Sequence, residues 1–375
     1  MSEAPTPVSV PLCDLRAQDA RIADEVRGAV LRVADAQSFV LGEVVARFEA
    51  RLASRVGVAH AIGVASGSDA LRLSLLAAGV RPGDAVLTTP FSFFATAGAI
   101  HHVGAVPVFA DVDAGTFTLT ADTCRARLER LGAGPRLRAL LPVHLFGQCA
   151  PMAELSAFAA AHDLVVVEDA AQALGATDDG RPAGSLGLAA AVSFFPSKNL
   201  GAWGDGGAVL TSDPVLAARV RRLRAHGFDA DGRVHEVGFN SRLDALQAAV
   251  LTVKEGHLGR WNEERRAAAA RYGTLLGDTP LALPVERAGA THVYHQYVVR
   301  TPQRDALAKY LTGQGIATRA YYGIPLHQQP CFAHEGESLP VAEELSRTSL
   351  ALPMFAELTV AQQERVAEAV RAFFR

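Results

Sequence analysis

Between about residues 60 and 215, short apolar runs alternate with longer helical patterns, and this alternation limits the possible folds more than any other feature. Strands that alternate with helices in this way form a mostly parallel sheet covered by helices. The predicted strands span residues 85–89, 106–112, 139–143, 164–168, 190–194 and 208–212. The clearest helices are predicted at 68–78 and 152–162. The larger part of the chain is therefore expected to be α/β.

The pattern changes after about residue 245, and a chain of 375 residues is longer than one compact core usually needs. A helical stretch is predicted at 243–272, and a segment marked by Pro and Gly follows at 277–289. Strands are then predicted at 292–300 and 316–322, and an amphipathic helix at 360–374. We therefore expect a large domain over residues 1–250 and a smaller C-terminal α+β domain over 251–375.

Composition argues against several classes of protein. The net charge is −3, the sequence pI is about 6.5 and basic residues form only short runs, so a nucleic-acid partner is not expected. No run approaches the ~20 apolar residues of a membrane span, and the first residues lack the apolar core of a signal peptide. The four cysteines are widely spread, which predicts neither disulfides nor a metal site. These features favour a soluble cytoplasmic protein.

An acidic pair follows the apolar run Val165-Val166-Val167 directly. A strand buried on both faces reads as such a run, so Glu168 and Asp169 should lie at its carboxyl end, the edge where open α/β sheets bind ligands. A carboxylate at this edge can accept a hydrogen bond from a protonated ring nitrogen. An acid in this position can also be a simple helix cap.

Two other segments carry complementary chemistry. Residues 65–69 form a turn of small residues before a helix predicted to begin near Asp69, where backbone amides and Gly67 can cradle an anion, although such residues also serve as ordinary caps. Lys198 lies in a loop of Pro, Ser, Asn and Gly between two apolar strands. A lysine is most often a solvated surface residue, but one that is desolvated or conjugated as an imine becomes a nucleophile and proton carrier.

Together these segments would supply a phosphate seat, a partner for a ring nitrogen and a Schiff-base lysine. The sequences at 66–71 (SGSDAL), 91–96 (FSFFAT), 143–148 (VHLFGQ), 168–172 (EDAAQ), 193–207 (SFFPSKNLGAWGDGG) and 238–249 (GFNSRLDALQAA) resemble the DegT/DnrJ/EryC1/StrS family of nucleotide-sugar aminotransferases. The resemblance runs from about Leu12 to the carboxyl end. Those enzymes depend on pyridoxal 5'-phosphate (PLP) and have the aspartate-aminotransferase-like fold, PLP fold type I.

The resemblance assigns roles to individual residues. Lys198 is expected to carry PLP as a Schiff base, Asp169 to pair with the pyridine nitrogen and Gln172 to lie near the ring's phenolic oxygen. The other cofactor contacts it implies are phosphate binding by Gly67, Ser68 and Ser193, stacking of Phe93 on the ring, and contact of Asn240 with the cofactor phosphate of the partner subunit. A homodimer with shared active sites follows from the last of these.

The implied reaction takes an amino group from L-glutamate, releases 2-oxoglutarate and aminates a nucleotide-linked keto sugar. Tyr322 and His327 are candidates for contact with the sugar, although His327 can equally be a hydrogen-bonded structural residue. His144 is interpreted as structural. Gly323 stands where many relatives have proline, and no metal is expected in the site.

Several alternatives remain open on the sequence alone. The residues of the motifs resemble most those of relatives that act on 3-keto sugars, but a 4-keto nucleotide sugar or a keto-cyclitol is also consistent with them. A variant of the family with histidine in place of Lys198 is a dehydratase, and the lysine argues against that reaction. A non-catalytic PLP-binding regulatory protein could have the same fold, but such a protein could dispense with Lys198 or Asp169, and both are present. A dinucleotide-binding module is set aside because no Gly-x-Gly-x-x-Gly follows a predicted strand.

Overall fold

The computed structural model describes residues 9–131, 136–332 and 337–375. The helices in these ranges are α1 (Leu15–Ala20), α2 (Ala23–Ala36), α3 (Gly42–Val56), α4 (Gly67–Ala77), α5 (Ala95–His102), α6 (Ala121–Leu131), α7 (Met152–Ala161), α8 (Pro214–Leu223), α9 (Ala245–Glu255), α10 (Leu258–Leu276), α11 (Arg304–Gly313), α12 (Pro340–Thr348) and α13 (Val360–Phe374). The strands are β1 (His60–Val64), β2 (Ala85–Thr88), β3 (Val106–Phe109), β4 (Leu137–Leu141), β5 (Val165–Asp169), β6 (Thr177–Asp178), β7 (Arg181–Pro182), β8 (Ala189–Ser193), β9 (Gly207–Thr211), β10 (Ala290–Thr291), β11 (Tyr297–Arg300) and β12 (Ser349–Leu352).

The main sheet has seven strands in the order β1-β9-β8-β5-β4-β2-β3. Strands β8, β5, β4, β2 and β3 pair in parallel, while β9 runs antiparallel to both of its neighbours, β1 and β8. The predicted α/β class with a mostly parallel sheet is thus confirmed. Each of the six strands predicted between residues 85 and 212 overlaps an observed strand of this sheet, and the remaining strand, β1, was not predicted.

Helix α4 is held in place by its apolar face. Leu71, Leu73 and Leu75 are at most 2% exposed and belong to a core cluster with residues from β1, β4, β8 and β9. Burying a leucine side chain contributes roughly 1.5–3 kcal/mol, so these three residues fix the helix firmly on the sheet. The start of α4 is therefore positioned by packing, which matters because it forms one wall of the site.

Three predictions for the second half of the chain were wrong in part. The stretch 243–272 is not one helix: α9 ends at Glu255, α10 begins at Leu258, and Gly256 and His257 separate them. Segment 316–322 is not a strand, because it pairs only at isolated bridges of Ile316 with Val10 and of Arg319 with Ala351. Within 292–300, only Tyr297–Arg300 is a strand, and it pairs with β12.

A second hydrophobic core lies among α10, α11, α13, β11 and β12, with Tyr272 and Tyr297 among its buried residues. Val10 also packs into this core, so the beginning of the chain contacts the C-terminal part. The break between α9 and α10 lies close to the predicted boundary at residue 250, and the division into domains at that residue stays a prediction. Among the described residues, no helix combines the length and the apolar character that crossing a lipid bilayer requires.

Candidate active site

A cavity of about 460 Å³ opens at the carboxyl edge of the sheet. Strand β1 leads into α4 there, β5 and β8 end there, and the antiparallel β9 begins there. The predicted site residues that line it are Gly67, Ser68, Phe93, Asp169, Gln172, Ser193, Lys198 and Tyr322. The topology therefore brings Gly67 and Tyr322, which lie 255 positions apart in the sequence, into the same cavity.

The first turn of α4 forms one end of the cavity. The helix begins at Gly67, within two residues of the predicted start, and the hydroxyl of Ser66 accepts a hydrogen bond from the amide of Asp69 at 3.1 Å. A side chain at position 67 would place its Cβ 2.6 Å from the Cβ of Ser193, so the strand end and the helix start can approach only at a glycine. Free backbone amides at a helix start attract anions such as phosphate.

Asp169 is the last residue of β5 and is almost fully buried. Its Oδ2 accepts a hydrogen bond from the hydroxyl of Thr96 at 2.8 Å, and its Oδ1 accepts one from the amide of Ala171 at 3.2 Å. Burial raises the pKa of this carboxyl, whereas the two hydrogen bonds and the charge of Lys198 lower it. A cationic group in the cavity would therefore stabilise the charged form of Asp169.

Lys198 lies in the connection between β8 and β9, which is closed at its base by the pairing of Ser193 with Gly207. Its backbone amide donates to the carbonyl of Phe195 at 2.8 Å, which closes a tight turn around the lysine. The side chain is partly buried in the cavity wall, and burial lowers the pKa of its amine to about 8, against a smaller opposing effect of Asp169. A much larger fraction of this amine is neutral near pH 7 than in an ordinary lysine, as a nucleophile requires.

Gln172 is held on both sides of its amide. Its Oε1 accepts from the backbone amide of Phe146 at 2.8 Å, and its Nε2 donates to the hydroxyl of Tyr322 at 3.0 Å. Tyr322 belongs to the segment after α11, so this contact joins the sheet edge to the C-terminal part of the chain. The amide is thereby fixed beside Asp169 at the cavity wall.

Two predicted residues do not line the cavity. Asn240 is exposed to solvent and pairs through its backbone with Ala225. His327 is 2% exposed, and its Nε2 lies 3.2 Å from Oε1 of Glu343. The position of His327 supports the structural alternative, because its side chain is occupied away from the cavity. Phe93 lines the cavity with 59% of its surface exposed, on the open side.

His144 and Glu168 form a buried pair behind Asp169. The Nδ1 of His144 accepts from the amide of Ala150 at 3.1 Å, so its Nε2 carries the hydrogen and donates to Glu168 at 2.8 Å. Glu168 also accepts backbone hydrogen bonds from Gly184, Leu186 and Gly187, each at 2.7 Å. This carboxylate thus fastens the end of β5 to the loop before β8, and it does not face the cavity.

Sequence reasoning missed part of the site. Thr96 was within a quoted motif but received no role, and a hydroxyl in the first turn of α5, next to the sheet edge, was the signal that could have found it. Other residues that line the cavity and received no role include Ser92, Asp205, His295, Gln296, Arg319 and Tyr321. All six come from loops. Ser92 and Asp205 lie within quoted motifs, whereas the four from the C-terminal part of the chain belong to no motif quoted above.

These residues fit a phosphorylated aromatic aldehyde with a basic ring nitrogen. The start of α4 offers amides to a phosphate, Asp169 offers a carboxylate to a protonated ring nitrogen, and Lys198 offers an amine that can condense with the aldehyde. Gly67 has no side chain to cover the amides at the helix start, and there is no room for one beside Ser193. Such a group supplies an electron sink that side chains alone cannot provide.

Comparisons with known proteins point to a single family. The profile described as the DegT/DnrJ/EryC1/StrS aminotransferase family matches residues 20–371. The chain is 46% identical to a pleiotropic regulatory protein of Geobacillus stearothermophilus, with 98% of this chain and 99% of the relative covered. It is 44% identical to the UDP-N-acetyl-3-dehydro-alpha-D-glucosamine 3-aminotransferase of Acidithiobacillus ferrooxidans, with 97% of each chain covered. Its structure matches that of DesV from S. venezuelae with a TM-score of 0.94, 42% identity and 99% coverage of both chains.

Proposed function

The chain belongs to the DegT/DnrJ/EryC1/StrS family of PLP-dependent sugar aminotransferases, and we propose that it transfers the amino group of L-glutamate to a nucleotide-linked 3-keto sugar. The observation that carries the proposal is the pairing, in one cavity, of a lysine whose pKa is lowered to about 8 with a buried carboxylate. A Schiff-base amine and an acceptor for a ring nitrogen are the two groups that this chemistry needs.

Each residue has a defined task in this proposal. PLP, when bound, supplies an aldehyde carbon for Schiff bases and a ring that can hold the electrons of a deprotonated substrate carbon. Lys198 binds the aldehyde, and its amine, once free, takes the proton from the substrate carbon that carries the amino group and later returns it. Asp169 keeps the ring nitrogen protonated. Gly67, Ser68 and Ser193 hold the phosphate, Gln172 lies near the phenolic oxygen and Phe93 covers the ring.

We also propose that the enzyme is a homodimer with shared active sites. Large apolar side chains are exposed at and around the cavity, with Phe93 at 59%, Phe195 at 53% and Trp203 at 43%. Exposed apolar groups in such number mark surfaces that bind another protein. In this arrangement the exposed Asn240 would contact the cofactor phosphate of the partner subunit, as the family resemblance implies.

The carbon that is aminated is proposed by analogy. The relative from Acidithiobacillus ferrooxidans is named as a 3-aminotransferase of a nucleotide sugar, which favours C3 over C4 and over a keto-cyclitol. Tyr322, which lines the cavity through the segment after α11, remains a candidate for contact with the sugar. The substrate is a nucleotide sugar in this proposal, and the cytoplasm is the compartment in which such a substrate would be met.

A regulatory role is the second candidate, since the relative from Geobacillus stearothermophilus is named as a pleiotropic regulatory protein. A protein that only binds PLP has no need of an amine with a lowered pKa beside a buried carboxylate. Both groups are present here and face the same cavity. This arrangement favours an aminotransferase over a protein that only binds PLP.

The visible absorption spectrum with PLP tests the proposal. We expect a band from the Lys198–PLP Schiff base, and we expect L-glutamate to bleach it as the amino group passes to the cofactor. Lys198→Ala is the control and should lack the band. A panel of nucleotide-linked keto sugars should then restore the band in the glutamate-treated protein, with 3-keto sugars restoring it fastest. A band that L-glutamate and all other amino donors leave unchanged would favour the regulatory alternative.

A further inference from the structure

His295 is a buried histidine that lines the cavity and has no part in the roles proposed above. It lies in the loop just before β11, is 5% exposed and shares the cavity wall with Lys198 and Tyr322. A histidine in such a place can be protonated on either ring nitrogen or on both, and its chemistry depends on which. The neighbouring hydrogen bonds determine which ring nitrogen of His295 carries the hydrogen.

A chain of amide hydrogen bonds leads from the protein interior to His295. The Nδ2 of Asn262 donates to the carbonyl of Leu174 at 3.1 Å, and a carbonyl can only accept, so the Oδ1 of Asn262 is left as an acceptor. That oxygen takes a hydrogen bond from Nδ2 of Asn199 at 2.8 Å, and the same nitrogen donates to the carbonyl of Val293 at 3.2 Å. The Oδ1 of Asn199 is therefore an acceptor, and it lies 3.2 Å from Nδ1 of His295.

It follows that Nδ1 of His295 carries the hydrogen. Burial, together with the charges of Lys198 and Arg265, lowers the pKa of His295 well below its usual range, so the ring stays neutral. Its Nε2 then has a free lone pair, and no residue within the described ranges donates a hydrogen bond to it. The cavity wall therefore includes a neutral imidazole whose tautomer is set by the protein's own hydrogen bonds and whose Nε2 is an acceptor.

We propose that His295 helps to determine substrate specificity, with its Nε2 accepting a hydrogen bond from a hydroxyl of the sugar on a carbon next to the one that is aminated. The inference rests on the proposed function. L-Glutamate presents mainly carboxylates, which are acceptors and gain nothing from another acceptor, and its amine is consumed in the exchange. A sugar presents hydroxyls that can donate. A neutral acceptor in the wall thus distinguishes the second substrate from the first.

His295→Asn is the variant that separates this role from a structural one. The shorter amide can keep a donor near the position of Nδ1, facing Asn199, but it has no acceptor at the position of Nε2. His295→Gln is the matched variant, because its longer side chain can place an oxygen near Nε2. For both proteins, thermal unfolding and the intensity of the Schiff-base band with PLP report whether the fold and the cofactor site are intact.

The measurement is the rate at which substrates bleach the Schiff-base band in a single turnover. L-Glutamate and a nucleotide-linked 3-amino sugar, the product of the forward reaction, can both be used because amino transfer is reversible. In His295→Asn we expect the rate with the amino sugar to fall roughly tenfold relative to the rate with L-glutamate, the scale of one lost hydrogen bond. His295→Gln should recover part of this ratio. An unchanged ratio in a folded, PLP-loaded His295→Asn protein would overturn the inference.

A second measurement uses the wild-type protein and does not depend on the variants. Nucleotide-linked 3-amino sugars that carry or lack the hydroxyl at C2, and others that carry or lack it at C4, are compared in the same bleaching assay. One of the two deoxy sugars should react roughly tenfold more slowly than its parent. Equal rates within both pairs would contradict the role of His295. If no amino sugar bleaches the wild-type band at all, it is the proposed function that fails.

Discussion

The hydroxyl of Thr96 lies 2.8 Å from Oδ2 of Asp169 and 2.9 Å from the hydroxyl of Ser92. Because an ionised carboxylate can only accept, Thr96 donates to Asp169 and its oxygen is left to accept from Ser92. Both side chains are buried. The hydrogen bond from Thr96 favours the charged form of Asp169 and thereby opposes the effect of burial on the pKa of that carboxyl.

Replacing Thr96 with valine should weaken PLP binding. The change keeps the shape of the side chain but removes the donor to Asp169, so the pKa of the carboxyl rises further and its grip on a protonated ring nitrogen weakens. We expect the dissociation constant for PLP to increase roughly tenfold, as measured by titration of the Schiff-base band. Thr96→Ser, which keeps a hydroxyl, should remain within about threefold of wild type. Equal affinity for PLP in Thr96→Val and wild type would show that the hydroxyl has no such effect.

The lowered pKa of Lys198 predicts how fast the PLP-free protein captures PLP at different pH. Only the neutral amine attacks the aldehyde, and the pKa of Lys198 is lowered to about 8. The capture rate should therefore rise with pH below about 8 and level off above it, as followed by stopped-flow absorbance. For an ordinary lysine, with a pKa near 10.4, the rise would continue to about pH 10. A rate still increasing between pH 9 and 10 would contradict the burial of this amine.

A methyl group at position 67 should damage the cofactor site. The Cβ of Gly67→Ala would lie 2.6 Å from the Cβ of Ser193, and the end of β8 or the start of α4 must move to relieve the clash. We expect PLP affinity to fall at least tenfold, on the order of the cost of a displaced phosphate site. Gly259→Ala is the control, because its added Cβ meets no atom within 4 Å and it lies in helix α10. Comparable losses in the two variants would rule out a specific role of Gly67.

Glu168 is predicted to contribute to stability and not directly to catalysis. Glu168→Gln replaces an oxygen by an NH₂ group in a fully buried position where His144 and three backbone amides all donate. At least one donor would then face another donor, which should lower the free energy of unfolding by about 3 kcal/mol. Urea unfolding measures this value, and Glu43→Gln on the exposed face of α3 should change it by less than about 0.5 kcal/mol. A loss below about 1 kcal/mol for Glu168→Gln would show that the pair is not tightly coupled.

The elements that could be predicted from sequence are those whose pattern is set by burial. Helix α13 was predicted at its observed bounds because its apolar face is periodic. The structure adds a capping box of Thr359 and Gln362 at its start. Strand β1 was missed, since His60 and Gly63 interrupt a run of only five residues. The predicted strand at 316–322 is short and apolar enough to qualify, but only the tertiary structure shows that it has no continuous partner strand.

The candidate site, too, contains residues that could be placed from sequence and residues that could not. Lys198 and Asp169 follow predicted strands, and because the ends of neighbouring strands share one edge, sequence alone could place them together. Gly67 follows the missed strand β1, and only its turn of small residues before a helix indicated an anion site. His295 comes from a loop of the C-terminal part, and the state of its ring depends on Asn199 and Asn262, which lie far from it in sequence. No local pattern encodes a hydrogen-bond chain of that kind.

The side-chain amide of Gln172 is hydrogen-bonded both to the sheet edge and to the C-terminal part of the chain. One side of the amide is fixed by the backbone of Phe146, and the other depends on the hydroxyl of Tyr322, which borders the space assigned to the sugar. A ligand that displaces Tyr322 releases one of these restraints on a group assigned to the chromophore's surroundings. If the proposed roles of Gln172 and Tyr322 hold, we expect inhibitors that displace Tyr322 to shift the absorption of bound PLP, so that they could be screened by the colour of the protein.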